Sequence, residues 1–253
     1  MTRGSGGAGP GPNRRVAAVI PAAGQGKRMG GDTAKQFLPL NGKPILAHTL
    51  EVFEASSLIS DVVLVVAESA VDACRRDIVA RYGFSKVTRV VAGGEERQDS
   101  VHRGLAALGS GADLVAVHDA ARPLITAEQL DWAVAAALRV GSAIVAVPVK
   151  DTVKVVGADG VITVTPDRRT LWAAQTPQIF PYPLLLAAHR RAAAEGFIGT
   201  DDASLVERLG ETVRILEGWP ENIKVTTPED LLLAERILAR RAAGAAGQQA
   251  GRG

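Results

Sequence analysis

Short runs of consecutive apolar residues alternate along the chain with longer stretches in which apolar positions recur every three or four residues. The continuous runs lie near residues 16–20, 62–66, 114–117 and 143–149, and the helical spacing near 45–55, 100–108 and 128–140. A run that is apolar at every position predicts a strand buried on both faces, as in a parallel sheet covered by crossover helices. The pattern thus predicts an α/β fold with a mostly parallel sheet and helices on both faces. In such sheets ligands sit beyond the carboxyl ends of the strands.

Helix ends are also marked. Pro44 suits a first helical position, and Thr227, Pro228 and Asp230 form a cap, first-turn proline and capping-box pattern ahead of Leu231, Leu232, Ala234, Ile237 and Leu238. Residues 152–156 and 161–165 read as two strands about the turn GADG, a β-hairpin within an arm at about 150–171. An isolated hairpin is marginal in water, so a second subunit is expected to cover it. One domain over 14–241 is expected, with disordered tails at 1–13 and 243–253, where Gly, Ala, Pro, Ser and Gln dominate without periodicity.

Composition narrows the partners. Apolar types make up 47% of the 253 residues, enough for a sizeable core, and the formal net charge of +2 does not advertise a nucleic-acid or membrane partner. The single cysteine, Cys74, cannot form an intramolecular disulfide, and no Cys/His spacing suits structural zinc. With no secretory signal or spanning run, a cytoplasmic protein is expected.

The first strand runs into PAAGQGKRMG, residues 21–30, where glycines let a backbone approach a phosphate and Lys27 and Arg28 add charge. A bland tight turn is the alternative. The segment is not GxxxxGK[ST], and Met29 stands where the third glycine of GxGxxG would fall, which disfavours a Walker-type NTPase and a nicotinamide dehydrogenase. Lys35, in AKQFLPL, reads either as a solvated lysine or as a second cation for the same anion. The third core strand delivers VHDAARP, residues 117–123, so Asp119 and Arg122 emerge at a strand end, where they suit a metal and a phosphate or an internal ion pair. His118 reads as a structural, hydrogen-bonded residue. With no nucleophile beside a base, the theme is anion binding, which suits phosphoryl or nucleotidyl transfer.

PAAGQGKRMG, the lysine of AKQF, GGEERQDSV, HDAARP, DTVK, DRRTLWAAQTPQIF, TDDASLVE and IKVTTPEDL stand in one order over about residues 15–241. This ordered set resembles the 2-C-methyl-D-erythritol 4-phosphate cytidylyltransferases, with Ala34 where the family usually has proline. The resemblance implies a Rossmann-like fold of the nucleotide-diphospho-sugar transferase type, and transfer of CMP from CTP to methylerythritol 4-phosphate with Mg²⁺ and release of pyrophosphate. It implies Arg28 and Lys35 as the catalytic pair. CTP binding falls to Pro21, Ala22, Ala23, Gly24, Gly26, Lys27, Arg28, Lys35, Gly93, Gly94, Glu95, Ser100, Asp119 and Lys224, with Asp119 near the metal. The acceptor falls to Asp119, Arg122, Thr152, Arg168, Thr176, Thr200 and Lys224, with Thr152 and Arg168 on an arm that crosses to the partner of a homodimer. Thr200 also reads as a helix cap. A cytidylyltransferase for another polyol phosphate, such as ribitol 5-phosphate, is the nearest alternative, and a non-catalytic nucleotide-binding module a more distant one.

Overall fold

The computed structural model describes residues 14–24 and 34–250. The expected amino-terminal tail and the stretch holding Gly26, Lys27 and Arg28 lie outside the described residues. In chain order the elements are β1 (Val16–Ala22), a small antiparallel pair β2 (Pro39–Leu40) and β3 (Lys43–Pro44), α1 (Ile45–Ala55), β4 (Ile59–Val66), and α2 (Val71–Cys74), which runs into a π-helical turn at Arg75–Ala80. There follow β5 (Val87–Ala92), α3 (Arg97–Leu108), β6 (Leu114–Val117), α4 (Ala127–Val140) and β7 (Ala143–Pro148). The last third comprises β8 (Val155–Val156), β9 (Ile162–Val164), β10 (Trp172–Pro181), α5 (Tyr182–Ala194), α6 (Asp202–Arg208), β11 (Arg214–Glu217) and α7 (Pro228–Ala250).

The main sheet has the order β11-β7-β10-β6-β1-β4-β5. Every neighbouring pair is parallel except those made by β10, which runs antiparallel to both β6 and β7. The chain moves outward from β1 through β4 to β5, then returns to place β6 on the other side of β1. That reversal opens a crevice at the carboxyl ends of β1 and β6.

Successive residues of β1 face opposite sides, so Val16, Ala18 and Ile20 pack with Leu46, Leu50 and Phe53 of α1 and with Leu130 and Val134 of α4. Val19 joins Val63 and Val65 of β4 against Val101 and Leu105 of α3 and Leu185 of α5. Removing each such side chain from water contributes roughly 1.5–3 kcal/mol, which is why the all-apolar runs settle in the middle layer. α3 approaches the sheet at Gly104, where a Cβ would lie 2.5 Å from a methyl of Val19. The sheet therefore tolerates no side chain at that position of α3, and the helix start is held close to the strand ends.

Several boundaries differ from the sequence expectation. α3 begins at Arg97 because Glu96 and Asp99 form a capping box. Pro44 is the residue before α1 and not its first helical residue. The two hairpin strands are shorter than expected, although β8 and β9 pair antiparallel as foreseen. The capping pattern at Thr227 is made, with the Asp230 carboxylate accepting from the Thr227 amide at 2.9 Å. The helix that it starts continues to Ala250, through positions expected to be a disordered tail, because alanine and glutamine are good helix formers. The strand leading to Asp119 is the fourth of the main sheet, since β5 escaped the pattern reading.

Candidate active site

A cleft of about 430 Å³ opens at the crevice beyond β1 and β6. Its floor is the end of β1 with Ala23 and Gly24, one wall is residues 93–97 and Ser100, and the other sides are Lys35, Gln36, Asp119 and Lys224. The expected residues Pro21, Ala22, Ala23, Gly24, Lys35, Gly93, Gly94, Glu95, Ser100, Asp119 and Lys224 therefore line one cavity. They are separated by up to two hundred positions in the chain.

Lys35 starts a short 3₁₀ turn, Lys35–Phe37, whose second residue is buried. That residue, Gln36, donates from Nε2 to the carbonyls of both Ala22 and Gly24. The amide thereby pins the lysine turn to the end of β1 and to Gly24 just beyond it. Ala34 has φ −61° and ψ 133°, the backbone that proline itself adopts, so the departure from the family pattern leaves this turn in the same conformation.

At Gly93 and Gly94 the opposite wall is bare main chain. A Cβ at Gly93 would lie 2.5 Å from the Cβ of Ala23 and 2.7 Å from the Ser100 hydroxyl, so only glycine lets this loop close against the β1 turn. The Gly94 amide donates to Ser100 Oγ at 3.2 Å, and Arg103 holds the Gly93 carbonyl at 2.7 Å. A flat ring can approach such a wall without meeting side chains.

Asp119 is the electrostatic centre. Oδ1 accepts from Arg97 Nε at 3.0 Å, Oδ2 meets Lys224 Nζ at 2.8 Å, and Arg122 Nε stands 3.6 Å from Oδ2. Burial alone would raise the Asp119 pKa, but Arg97, Lys224 and Arg122 outweigh it and hold the carboxyl well below the usual carboxylate range. Lys224 is brought in because the Val225 amide donates to the Ala121 carbonyl, joining its segment to the HDAA loop. Arg122 is anchored by donating to the Asn222 carbonyl at 2.8 Å.

Thr176 and His118 support the same loop. The Asp119 amide donates to Thr176 Oγ1 at 3.0 Å, and Thr176 Oγ1 lies 3.1 Å from His118 Nδ1. His118 Nε2 lies 3.1 Å from the Arg122 carbonyl, so Nε2 carries the proton and Nδ1 accepts from the threonine. Burial pushes the imidazole down to about 4, which keeps the fully buried ring neutral at pH 7. His118 is a structural residue, as its isolation in the sequence indicated, and it has no exposed face with which to act as a base.

Thr152, Arg168 and Thr200 do not line the cleft, and all three are exposed. Arg168 donates to the Lys150 carbonyl at 2.6 Å across the base of the hairpin. The cap of α6 is Asp201, whose carboxylate accepts from the Ser204 amide at 2.9 Å, and not Thr200. The sequence reading missed Gln36, Arg97 and Asp202. Each lies inside a recognised motif, but the partners that give it meaning are 12 to 105 residues away.

Among the described residues no three His, Cys, Asp or Glu side chains gather to hold a metal ion. Asp119, an ionised carboxylate in the cleft lining, suits magnesium, which is usually bound through one or two carboxylates, waters and the phosphates of its substrate. That chemistry fits an ion carried in on a nucleotide, which Asp119 would hold from the protein side. No helix among the described residues is long and apolar enough to cross a membrane.

A family model described as IspD, 2-C-methyl-D-erythritol 4-phosphate cytidylyltransferase, matches residues 16–240. A 2-C-methyl-D-erythritol 4-phosphate cytidylyltransferase from Geotalea uraniireducens is 54% identical over 226 residues, 88% of this chain and 97% of that protein. The one from Symbiobacterium thermophilum is 53% identical over 227 residues, 90% of this chain and 94% of that protein. The crystal structure of 4-diphosphocytidyl-2C-methyl-D-erythritol synthase from Anaerococcus prevotii matches with a TM-score of 0.78 at 31% identity, covering 89% of this chain and 96% of that one. With a family model matched over residues 16–240, relatives more than half identical and a solved structure of the same fold, this chain belongs to the 2-C-methyl-D-erythritol 4-phosphate cytidylyltransferase family.

Proposed function

We propose that this nucleotidyltransferase moves CMP from CTP to 2-C-methyl-D-erythritol 4-phosphate by charge neutralisation and alignment, without a general base. The carrying observation is a single cleft with Ala22, Ala23, Gly24 and Lys35 on one side, the bare main chain of Gly93 and Gly94 on another, and an ionised aspartate ringed by Arg97, Arg122 and Lys224 on the third. The second pKa of a phosphate monoester is about 6, so the acceptor is already largely dianionic at neutral pH. Its phosphate oxygen attacks the α-phosphorus of CTP, the bond to the β-phosphate bridging oxygen breaks, and pyrophosphate leaves with that electron pair. Lys35, and Arg28 from the stretch next to it, counter the charge that builds on the α-phosphate. Ala22, Ala23 and Gly24 wrap the triphosphate through backbone amides, Gly26 belongs to the same binding motif, and Lys27 adds charge. Gly93, Gly94, Glu95 and Ser100 form the cytosine and ribose side. Mg²⁺, held by Asp119 and the nucleotide phosphates, would supply further charge neutralisation on the leaving group. Arg122, Thr176, Thr200 and Lys224 serve the acceptor.

The hairpin extends this reading to a homodimer in the cytoplasm. Val155, Val156, Ile162 and Val164 are 45–55% exposed on β8 and β9, an apolar ribbon that no described residue of its own chain covers. A second copy covers it and receives Thr152 and Arg168 at its acceptor site. Mixed dimers, in which one subunit carries Arg168→Ala and the other Lys35→Ala, are then expected to regain about one working site. No recovery over either variant alone contradicts the arm-crossing arrangement.

Pyrophosphate release tests the function itself. CTP, UTP, ATP and GTP are offered against methylerythritol 4-phosphate and ribitol 5-phosphate, with and without a chelator. Turnover is expected only with CTP, the methylerythritol ester and a divalent cation. Release confined to the ribitol ester assigns the chain to a different polyol phosphate, and release with every nucleotide contradicts the base-selective wall.

A further inference from the structure

We infer that Asp202 is a positioning residue for the transfer reaction, a buried carboxylate at the start of α6 that acts through Arg97 to aim Asp119 into the cleft. The inference rests on the CMP-transfer reading. Asp202 is 1% exposed and does not line the cleft, so it touches neither nucleotide nor acceptor. Its Oδ2 accepts from Arg97 Nη1 at 2.8 Å, and Arg97 Nε in turn donates to Asp119 Oδ1 at 3.0 Å. One guanidinium therefore spans two carboxylates that are 83 positions apart in the chain.

The planar fork makes this more than a charge pair. Nε and Nη1 point in fixed directions, so two acceptors at once fix the ring's position as well as its charge. Asp202 is itself held on both sides: Oδ1 lies 3.1 Å from His189 Nε2, and its amide donates to Gln178 Oε1 at 3.1 Å. Burial opposes the ionised forms of both Asp202 and Arg97. Each nevertheless stays charged, because the opposite charge beside it outweighs the loss of water. A buried ion pair of this kind stabilises a fold little compared with apolar residues of similar volume. What it gives here is orientation.

The neighbouring residue repeats the connection. Gln98 donates to the Phe197 carbonyl and accepts from the Gly199 amide, both at 2.9 Å, so the first turn of α3 is tied at two successive positions to residues 197–202. The wall assigned to cytosine and the segment assigned to the acceptor are thereby joined as one unit. Asp202 anchors that unit from behind, and Arg97 transmits the anchor to Asp119.

The test reads kcat and KM separately for Asp202→Asn, Arg97→Lys, Arg97→Met and the double variant Arg97→Met with Asp202→Asn, with thermal midpoints alongside. Misplacing a reacting group by an ångström can cost ~10²-fold in rate, so Asp202→Asn is expected to lower kcat by about that factor while KM for CTP changes by less than about threefold. Arg97→Lys keeps the cation but not the fork, and is expected to lose about tenfold or more in kcat with the fold intact. The double variant is expected to be no slower than Arg97→Met alone, because both substitutions break one chain of contacts. Full kcat in Asp202→Asn, or losses that multiply in the double variant, overturns the inference. Should Asp202→Asn fail to fold, Arg97→Lys decides, and full kcat in it overturns the inference equally. A wild-type chain that releases no pyrophosphate from CTP refutes the CMP-transfer reading instead.

Discussion

Lys35→Ala is expected to lower kcat by about 10²–10³-fold, the loss that follows removal of one preorganised donor to a developing oxyanion. The lysine sits at the cleft on a turn that Gln36 fastens to the carbonyls of Ala22 and Gly24, so its backbone is placed before any ligand arrives. Preorganisation of this sort avoids reorganising the site as the α-phosphate gains charge. The alanine variant keeps Gln36 and with it the two bonds to the Ala22 and Gly24 carbonyls that hold the turn. KM for CTP should change far less than kcat, since the interaction is stronger in the transition state than in the ground state. A variant with unchanged kcat and only a raised KM would make Lys35 a binding residue.

Asp119→Asn is expected to damage both activity and stability. The carboxylate is the shared partner of Arg97, Lys224 and Arg122, and an amide leaves those three cations facing one another. Breaking a fully buried pair costs about 3–5 kcal/mol, but Arg97 and Lys224 are 30% and 39% exposed, which reduces the expected loss to ~2 kcal/mol. For a chain of this size that corresponds to a fall of ~4–8 °C in the thermal midpoint, measurable by calorimetry. Turnover should fall by ~10²-fold or more, because the charge meant for the metal and the acceptor is removed. A variant with the wild-type midpoint would show that the three cations do not depend on Asp119.

The parts of the fold that were legible in the sequence are those whose burial is symmetric. β1, β4, β6 and β7 are covered on both faces, so nearly every position is apolar and the run stands out. β5 is an edge strand with Thr88 and Arg89 exposed, and β10 carries Gln175, Thr176, Pro177 and Gln178, so neither resembles a buried strand when read alone. The polar residues of β10 exist for the site: Thr176 supports Asp119, and Gln178 holds the start of α6.

The site divides along the same line. Its glycines and Lys35 were legible because a phosphate needs bare backbone and charge next to a strand end, and that need writes a local pattern. Arg97 and Asp202 were not, because each is an ordinary charged residue until folding brings its partner to it. Thr200 was misread as a cap for a related reason, since it is followed by two aspartates and only Asp201 has the geometry to accept the Ser204 amide. Arg28 rests on the motif alone, being outside the described residues.

A crystal structure of the enzyme soaked with CTP and Mg²⁺ tests the central claim most directly. The expected result places the triphosphate against the backbone of Ala22–Gly24, the α-phosphate within hydrogen-bond reach of Lys35 and Arg28, and the cytosine ring flat against Gly93 and Gly94. A nucleotide lodged elsewhere, with both cations turned away into solvent, contradicts it.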